Sequence, residues 1–278
     1  MISLYSKQKE IEKSLMPITD AWQYEAKVIL CHVLDVEPIE LVLAKQRLLS
    51  QEEQRRIDDF VSSRVKRVPL QYLVQRQGFY GFDYFVNESV LIPRPETETL
   101  VERIINTTKI SNPQFLDIGV GSGAIAITLA MHFPFSSVVG SDISENAIEV
   151  AKKNAIYHNV SERVQLIVSD LFENIEGKFD VIVSNPPYIP IGDLESLEPE
   201  VTAHEPHIAL FAGEDGLDIY RRLIPKAMAH LNPNGYLYFE AGHNQHEEIE
   251  ALMKENDFKS VDHFCDLNGI PRFIYGQR

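Results

Sequence analysis

QFLDIGVGSG, at residues 114–123, sets the architecture of most of this chain. A short, mostly apolar segment runs into a turn with glycine at every second position, and the apolar segment 124–132 follows with helical length. A buried strand that leads through a glycine-rich turn into a helix is typical of the first unit of a parallel α/β sheet. We therefore predict strand, turn and helix in this order.

The same alternation of strand and helix continues to the end of the chain. Four further strands are predicted at SSVVGSD (136–142), RVQLIVSD (163–170), FDVIVSN (179–185) and GYLYFEA (235–241). Helices are predicted at residues 144–158, 217–230 and 245–255, and two closing strands at FKSVDHFC (258–265) and RFIYG (272–276). Since crossovers between parallel strands are right-handed, the pattern predicts a doubly wound, mostly parallel seven-stranded α/β sheet.

The residues before this sheet predict a separate helical domain and a short connection. Apolar side chains recur at helical spacing in residues 21–34, where Asp20 is expected to cap the helix, and in residues 51–66, before Pro69. GFYGFDYFV (78–86) predicts a β-hairpin because aromatic residues alternate with small or polar ones around glycines. The expected parts are a helical domain at 1–74, a hairpin linker at 75–95 and an α/β domain at 96–278.

Composition narrows the class of partner and the compartment. The formal net charge is −15, with 41 acidic and 26 basic residues, and an acidic surface repels nucleic-acid phosphates. Cys31 and Cys265 lie in no CxxC motif, so they are expected to be buried, reduced thiols. No signal peptide or membrane span is indicated. We expect a cytoplasmic protein that binds neither nucleic acid directly nor a membrane.

The glycine turn and the ends of the next two strands predict a cofactor site. Its residues would be Gly119, Val120, Gly121, Ser122 and Gly123, whose backbone N–H groups can approach a ligand closely. Asp142, about 20 positions later, fits ribose hydroxyls or, equally well, a cap for the helix that starts at Ser144. The third strand leads into Ser169-Asp170-Leu171-Phe172, where polar and apolar neighbours could hold an adenine. The GxGxG spacing and the absence of a Walker lysine favour S-adenosylmethionine over NAD or ATP.

Asn185-Pro186-Pro187-Tyr188, at the end of the fourth strand, predicts the catalytic and substrate-binding corner. The prolines stiffen the backbone and leave nearby carbonyls without competing donors. The Asn185 oxygen and the carbonyl after it could each accept one N–H of a planar NH₂ group, and Tyr188 offers a flat face. Orientation would then aim the nitrogen at a methyl donor. The same corner suits a carboxamide, or adenine N6 or cytosine N4 of a flipped base.

Five motifs resemble the release-factor glutamine methyltransferases, the HemK/PrmC family. They are VLIPRPETETLVE (90–102), LDIGVGSGAIAI (116–127), SNPPYI (184–189), EPHIALFAGEDGLDIYRRLI (205–224) and DLNGIPRFIYG (266–276). The resemblance implies a class I, Rossmann-like methyltransferase fold behind a substrate-docking helical domain. It implies methyl transfer from S-adenosylmethionine to N5 of the glutamine in a Gly-Gly-Gln motif of class 1 peptide chain release factors. Residues 119–123, Asp142, Leu171 and Asn185 would hold the cofactor, and residues 185–188 the substrate.

Other interpretations stay open beside this one. Arg94, Glu96 and Glu98 either shape the pocket wall or form a helix start with acids near its N-terminus. His204 and His207 lack further ligands, so no metal is expected. The rival functions are glutamine methylation of a ribosomal protein, amino-methylation of a nucleic acid, and a non-catalytic module that kept the fold.

Overall fold

The computed structural model describes residues 2–278, which form two compact units. The first unit holds the residues up to Gln75 together with Glu198–His204, and the second holds Arg76–Leu197 and Glu205–Arg278. Within residues 2–278, no helix combines the length and the apolar character that crossing a bilayer requires.

The first unit is helical. Its helices are α1 (Leu4–Leu15), α2 (Trp22–Leu34), α3 (Pro38–Leu43), α4 (Gln51–Val65), α5 (Leu70–Val74) and, from the distant segment, α9 (Pro199–His204). Helix α2 begins at Trp22 behind Ala21, which makes no side-chain cap, so the prediction that Asp20 caps this helix is wrong. Asp20 lies one residue too early for its side chain to serve as the cap.

A buried ion cluster joins the distant segment to the other helices of this unit. The guanidinium of Arg64 is 2.7 Å from Glu25 and 2.9 Å from Glu200, and Arg64 is only 5% exposed. Arg67 adds a second cation at 3.1 Å from Glu200. Sequence periodicity does not reveal this pairing, because Glu200 comes more than 130 residues after its partners.

The second unit contains the strands and the remaining helices. The strands are β1 (Gln77–Phe79), β2 (Phe82–Tyr84), β3 (Gln114–Ile118), β4 (Ser137–Asp142), β5 (Val164–Val168), β6 (Phe179–Ser184), β7 (Leu231–Glu240), β8 (Lys259–Cys265) and β9 (Pro271–Gln277). The helices are α6 (Pro95–Thr107), α7 (Ala124–His132), α8 (Glu145–Tyr157), α10 (Asp218–His230) and α11 (His246–Glu255), with 3-10 turns at Ile191–Ser196 and His207–Ala209.

Strands β3 to β9 form one seven-stranded sheet in the order β5-β4-β3-β6-β7-β9-β8. The pairings from β5 to β7 are parallel, and β9 is antiparallel to both of its neighbours. The predicted doubly wound, mostly parallel seven-stranded sheet is therefore confirmed. Chain order reverses between β3 and β6, which is where ligands bind in open sheets of this kind.

The hairpin packs inside the second unit. Phe79 and Tyr84, from β1 and β2, are at most 1% exposed and belong to the apolar core that covers one face of the sheet. The compact unit accordingly starts at Arg76, within the segment that the sequence assigned to a linker.

The expectation of two buried thiols is wrong. Cys265 is exposed and Cys31 is partly buried. Cys265 is the last residue of the edge strand β8, in which every residue is exposed or only partly buried. The apolar character of cysteine alone could not reveal this position.

Candidate active site

A cavity of about 360 Å³ opens at the carboxyl ends of β3, β4, β5 and β6. Its walls include most of the residues predicted for the cofactor and the substrate: Gly119, Val120, Gly121, Ser122, Asp142, Leu171, Asn185, Pro186 and Pro187. Gly123 and Tyr188 are not among its lining residues. Ile118 of β3 pairs with Ser184 of β6. The glycine turn and the Asn-Pro-Pro corner, which follow these two residues, therefore lie side by side.

Three glycines give the turn its shape. Gly119, Gly121 and Gly123 have φ angles of +77°, +52° and +85°, which L-residues rarely adopt. Gly123 serves as the N-cap of α7, and a Cβ there would come within 2.7 Å of the Ile127 side chain. A side chain at position 123 would therefore collide with the first turn of α7. Gly119 and Gly121, in contrast, lie in the cavity wall.

Asp142 links the glycine turn to the next helix. One carboxylate oxygen accepts the N–H of Gly121 at 3.0 Å, and the other accepts the N–H of Ser144 at 2.9 Å. Burial raises the pKa of Asp142. The helix cap of α8 is Ser144, whose hydroxyl accepts the N–H of Ala147. Asp142 therefore lines the cavity and accepts the N–H of the cap residue, but it is not itself the cap, so the interpretation of Asp142 as a helix cap is wrong.

The wall beyond β5 is both apolar and charged. Leu171 is 8% exposed and has a φ of +52°, an unusual angle for leucine that a hydrogen bond from the Ser169 hydroxyl to its carbonyl helps to hold. Beside it, Asp170 forms an ion pair of 2.7 Å with Arg222, and both line the cavity. Sequence reasoning missed Arg222, since it approaches from α10, more than 50 residues away.

Asn185 carries an unsatisfied acceptor. Its Nδ2 donates to Oγ1 of Thr97 at 3.3 Å, while its Oδ1 is buried and has no hydrogen-bond partner among residues 2–278. A buried polar atom without a partner costs about 1–3 kcal/mol and is rare in native structures. Because Asn185 lines the cavity, a ligand that donates a hydrogen bond there would remove this penalty.

The corner is held from behind by residues that sequence reasoning did not single out. Nε2 of Gln245 donates to the carbonyl oxygen of Tyr188 at 2.9 Å and to that of Asp215 at 3.1 Å. Tyr188 itself packs against the apolar cluster of α10 and α11, and burial raises the pKa of its phenol to about 12. Tyr188 therefore supports the corner and contributes no surface to the cavity wall.

A second buried pair lies next to Asn185. The Thr97 hydroxyl donates to Oε2 of Glu240 at 2.6 Å, and burial raises the pKa of Glu240 to about 7. Ser184 pairs with Phe239, so the residues that follow them in the chain, Asn185 and Glu240, also lie side by side. Sequence reasoning stopped at the acids on either side of Thr97 and passed over both members of this pair.

The neighbouring charged residues have separate partners. Arg94 lines the cavity and is 2.6 Å from Glu205, a carboxylate that also accepts the N–H of Ile92. Glu98 accepts the N–H of Tyr80 at 2.8 Å and so ties α6 to the hairpin. Arg94 thus contributes to the pocket wall, whereas Glu98 holds the hairpin and Glu96 is not a lining residue.

The cavity suits an adenosine-bearing sulfonium cofactor. Pockets of roughly 300–1,000 Å³ hold ligands of that size. The N–H groups of Gly119, Val120, Gly121 and Gly123 donate within the protein, so the polar groups that face a nucleoside are mainly side chains of the wall. Asp142 and Asp170 supply acidic oxygens near the turn, and Leu171, Ile143 and Ile125 supply apolar contact. Asn185, whose buried Oδ1 has no hydrogen-bond partner among residues 2–278, lies in the same wall.

Comparison with known proteins agrees with this geometry. Residues 95–196 match the family described as Methyltransferase small domain, and residues 8–74 match PrmC N-terminal domain. The release factor glutamine methyltransferase of Geobacter sulfurreducens is 42% identical over 254 residues, which cover 91% of this chain and 88% of that protein. The one from Koribacter versatilis is 38% identical, with coverages of 94% and 92%. The crystal structure of a methyltransferase from Pyrococcus furiosus shares the fold, with TM-score 0.55, 20% identity and coverages of 78% and 98%.

Proposed function

Because the chain belongs to the release factor glutamine methyltransferase family, we propose that it methylates the glutamine of a release factor. The methyl group passes from S-adenosyl-L-methionine to the side-chain amide nitrogen, N5, of the glutamine in the Gly-Gly-Gln motif of class 1 peptide chain release factors. Membership confirms the family that the motifs predicted, and with it an S-adenosylmethionine-dependent methyltransferase. The observation that supports methyl transfer to a planar NH₂ group is the unpaired Oδ1 of Asn185, a residue of the cavity wall, and the choice of glutamine rests on the relatives.

Methyl transfer to an amide requires the protein mainly to orient the nitrogen towards the methyl group. S-adenosylmethionine supplies, when bound, an electrophilic methyl group on a positively charged sulfur. An amide nitrogen is a weak nucleophile because its lone pair is delocalised into the carbonyl. Asn185 Oδ1 and a neighbouring backbone carbonyl accept its two protons and fix the direction of the nitrogen, while the two prolines keep these acceptors rigid. As the N–C bond forms, the S–C bond to the methyl group breaks and leaves a neutral thioether, and the nitrogen loses one proton to solvent.

The residues that would hold the cofactor are those of the turn and of the two following strand ends. We assign them to Gly119–Gly123, Asp142 and Leu171, together with Asn185, and we assign the substrate to Asn185–Tyr188. For Gly123 and Tyr188 the assignment is to support of the site, since neither lines the cavity.

The helical unit is proposed to dock the folded release factor. Its α3 exposes three apolar side chains, Ile39, Val42 and Leu43, which are 62%, 54% and 79% exposed. Leu43→Glu should raise KM for the folded factor and leave KM for a short Gly-Gly-Gln peptide unchanged. Ile156→Glu, at a 66% exposed isoleucine on α8, is the matched control. Equal effects on both substrates would refute the docking role.

The decisive experiment for the function identifies the modified atom. The chain is incubated with isotopically labelled S-adenosylmethionine and a class 1 release factor, and the product is mapped by mass spectrometry. We expect one methyl group on the glutamine of Gly-Gly-Gln, and none on a factor whose glutamine is replaced by alanine. Label found only on a ribosomal protein or on nucleic acid would overturn the proposal in favour of a rival function.

A further inference from the structure

Thr97 and Glu240 connect to the amide of Asn185 through a continuous hydrogen-bonded chain. Thr97 is 4% exposed and Glu240 is 1% exposed. The Thr97 hydroxyl lies 2.6 Å from Glu240 Oε2 and 3.3 Å from Asn185 Nδ2. We propose that Thr97 and Glu240 are positioning residues that determine which end of the Asn185 amide faces the substrate. This inference rests on the proposed function, because it concerns the acceptor that the substrate amide would use.

The direction of the chain follows from counting protons. An ionised carboxylate can only accept hydrogen bonds, so the single proton of the Thr97 hydroxyl points to Glu240. The oxygen of Thr97 can then only accept from its other neighbour. Of the two ends of the Asn185 amide, only the NH₂ group donates, and it therefore faces Thr97. Oδ1 is therefore on the side of the amide that faces away from Thr97, as an acceptor without a partner.

Protonation of Glu240 removes this constraint. A neutral carboxylic acid can donate its own proton to the Thr97 oxygen, which frees the threonine proton for another acceptor. That proton then stabilises the flipped Asn185 amide, in which Oδ1 faces Thr97 and NH₂ faces the substrate. Two NH₂ groups would oppose each other, and the substrate would lose its acceptor.

The protonation state of Glu240 is expected to change near pH 7. Burial raises its pKa to about 7, and the bond from Thr97 and the positive charge of Arg272 oppose that rise. The groups that face Glu240 from the surrounding elements are Thr97 and Glu96 of α6, Arg94 before it, Tyr188 after β6, Tyr220 of α10 and Arg272 of β9. Tyr220 binds the backbone carbonyl of Glu240 at 2.6 Å and so fixes the residue in place.

Three variants test the chain of hydrogen bonds in the full-length protein. Thr97→Val removes the hydroxyl at nearly constant volume, Thr97→Ser keeps it, and Thr128→Val removes another buried hydroxyl, which binds Tyr84 at 2.7 Å. We expect kcat on the release factor to fall about fivefold to tenfold in Thr97→Val, as loss of one orienting hydrogen bond predicts. Thr97→Ser should recover most of it, and Thr128→Val should keep the wild-type kcat.

The pH profile separates positioning from simple packing. In the wild type, kcat should fall as pH drops below about 7, where Glu240 takes up its proton. In Thr97→Val the same acid limb should flatten, because Glu240 no longer acts on Asn185. Dissociation constants for S-adenosylmethionine, measured by calorimetry, should stay within about twofold in all three variants.

The outcomes are distinct from those of the proposed function. A wild-type enzyme that leaves the Gly-Gly-Gln glutamine unmodified refutes the function itself. An active wild type with an unchanged Thr97→Val kcat, or with Thr97→Ser as impaired as Thr97→Val, overturns the positioning role. Should Thr97→Val fold poorly, the pH profiles of the wild type and Thr97→Ser decide the positioning role. Both proteins must lose kcat below about pH 7 to the same extent, and a wild type without this loss overturns the role.

Discussion

Gly216 lies directly against the carbonyl oxygen of Tyr188: a Cβ on Gly216 would come within 2.1 Å of that oxygen. The φ angle of Gly216 is +77°, and Nε2 of Gln245 approaches the same oxygen from beside it. The rigid corner that ends β6 is thus supported by a glycine and a glutamine from later loops. Two prolines stiffen the corner locally, but its placement at the cavity depends on this support.

Gly216→Ala is expected to lower kcat by more than about tenfold, since the new methyl group must displace Tyr188 and with it the corner. The variant also adopts a strained φ, which costs about 1 kcal/mol. Gly177→Ala is the matched control, because Gly177 has a φ of +91° with nothing within 4 Å of its Cβ position. Steady-state kinetics and urea unfolding of both variants separate the effects. Equal losses of kcat would contradict the role of Gly216.

Asn185→Ala is expected to bind the cofactor and lose most of its turnover. The lost acceptor is worth about 1–3 kcal/mol, or roughly a fivefold to 150-fold drop in kcat. Calorimetry with S-adenosylmethionine measures binding, and single-turnover methylation measures the chemical step. A variant with normal kcat would refute the acceptor role. Asn232→Ala, which removes an amide bonded to Asp180, controls for general effects of losing an asparagine.

Asp142→Asn is expected to weaken cofactor binding about tenfold, with kcat at saturating cofactor nearly unchanged. Both carboxylate oxygens accept backbone N–H groups, from Gly121 and Ser144, and an amide has only one oxygen to offer. Asp180→Asn alters a similar carboxylate, which accepts the N–H of Gln114 at the opposite edge of the sheet. Comparable cofactor dissociation constants for the two variants would rule out this role for Asp142.

Asp117 gives the fold a pH-dependent stability. It is 1% exposed, its Oδ1 has no partner among residues 2–278, and burial raises its pKa from 3.8 to about 7. As pH falls through about 7, the native state takes up this proton before the unfolded chain does, so the contribution of Asp117 to stability improves with acid.

Asp117→Asn removes that titration. Relative to the wild type, its free energy of unfolding should be most favourable at about pH 8, and the advantage should shrink towards about pH 5. Urea unfolding at both values measures the difference. An advantage that is the same at both values, or that grows in acid, would show that Asp117 is ionised throughout.

Local patterns in the chain predicted a large share of the site. The glycine turn, Asp142, Leu171 and the Asn-Pro-Pro corner all line one cavity, as expected from their places at strand ends. Each of them lies at or just after the end of a mostly apolar strand of five or six residues, and neighbouring parallel strands end at the same edge of the sheet. Their assigned chemical roles remain predictions until the variants above are measured.

The supporting contacts escaped prediction because they join segments far apart in sequence. Thr97 and Glu240 are separated by more than 140 residues, whereas the predicted cofactor and substrate residues all lie between Gly119 and Tyr188. Gly123 and Tyr188 were expected at the ligand and instead hold the helix start and the back of the corner. Periodicity indicates which face of a helix or strand is buried, but it does not indicate which distant side chain packs on that face.

The amino-acid sequence by itself determined the sheet, its glycine turn and the chemical type of the Asn-Pro-Pro corner, because hydrophobic alternation, glycine φ freedom and proline rigidity act within a few residues of chain. Only the tertiary structure decided which end of the Asn185 amide is left unpaired and which buried acid lies behind it. Those features depend on strand register and helix placement, which bring Thr97, Glu240 and Gly216 to one corner from three separate parts of the chain.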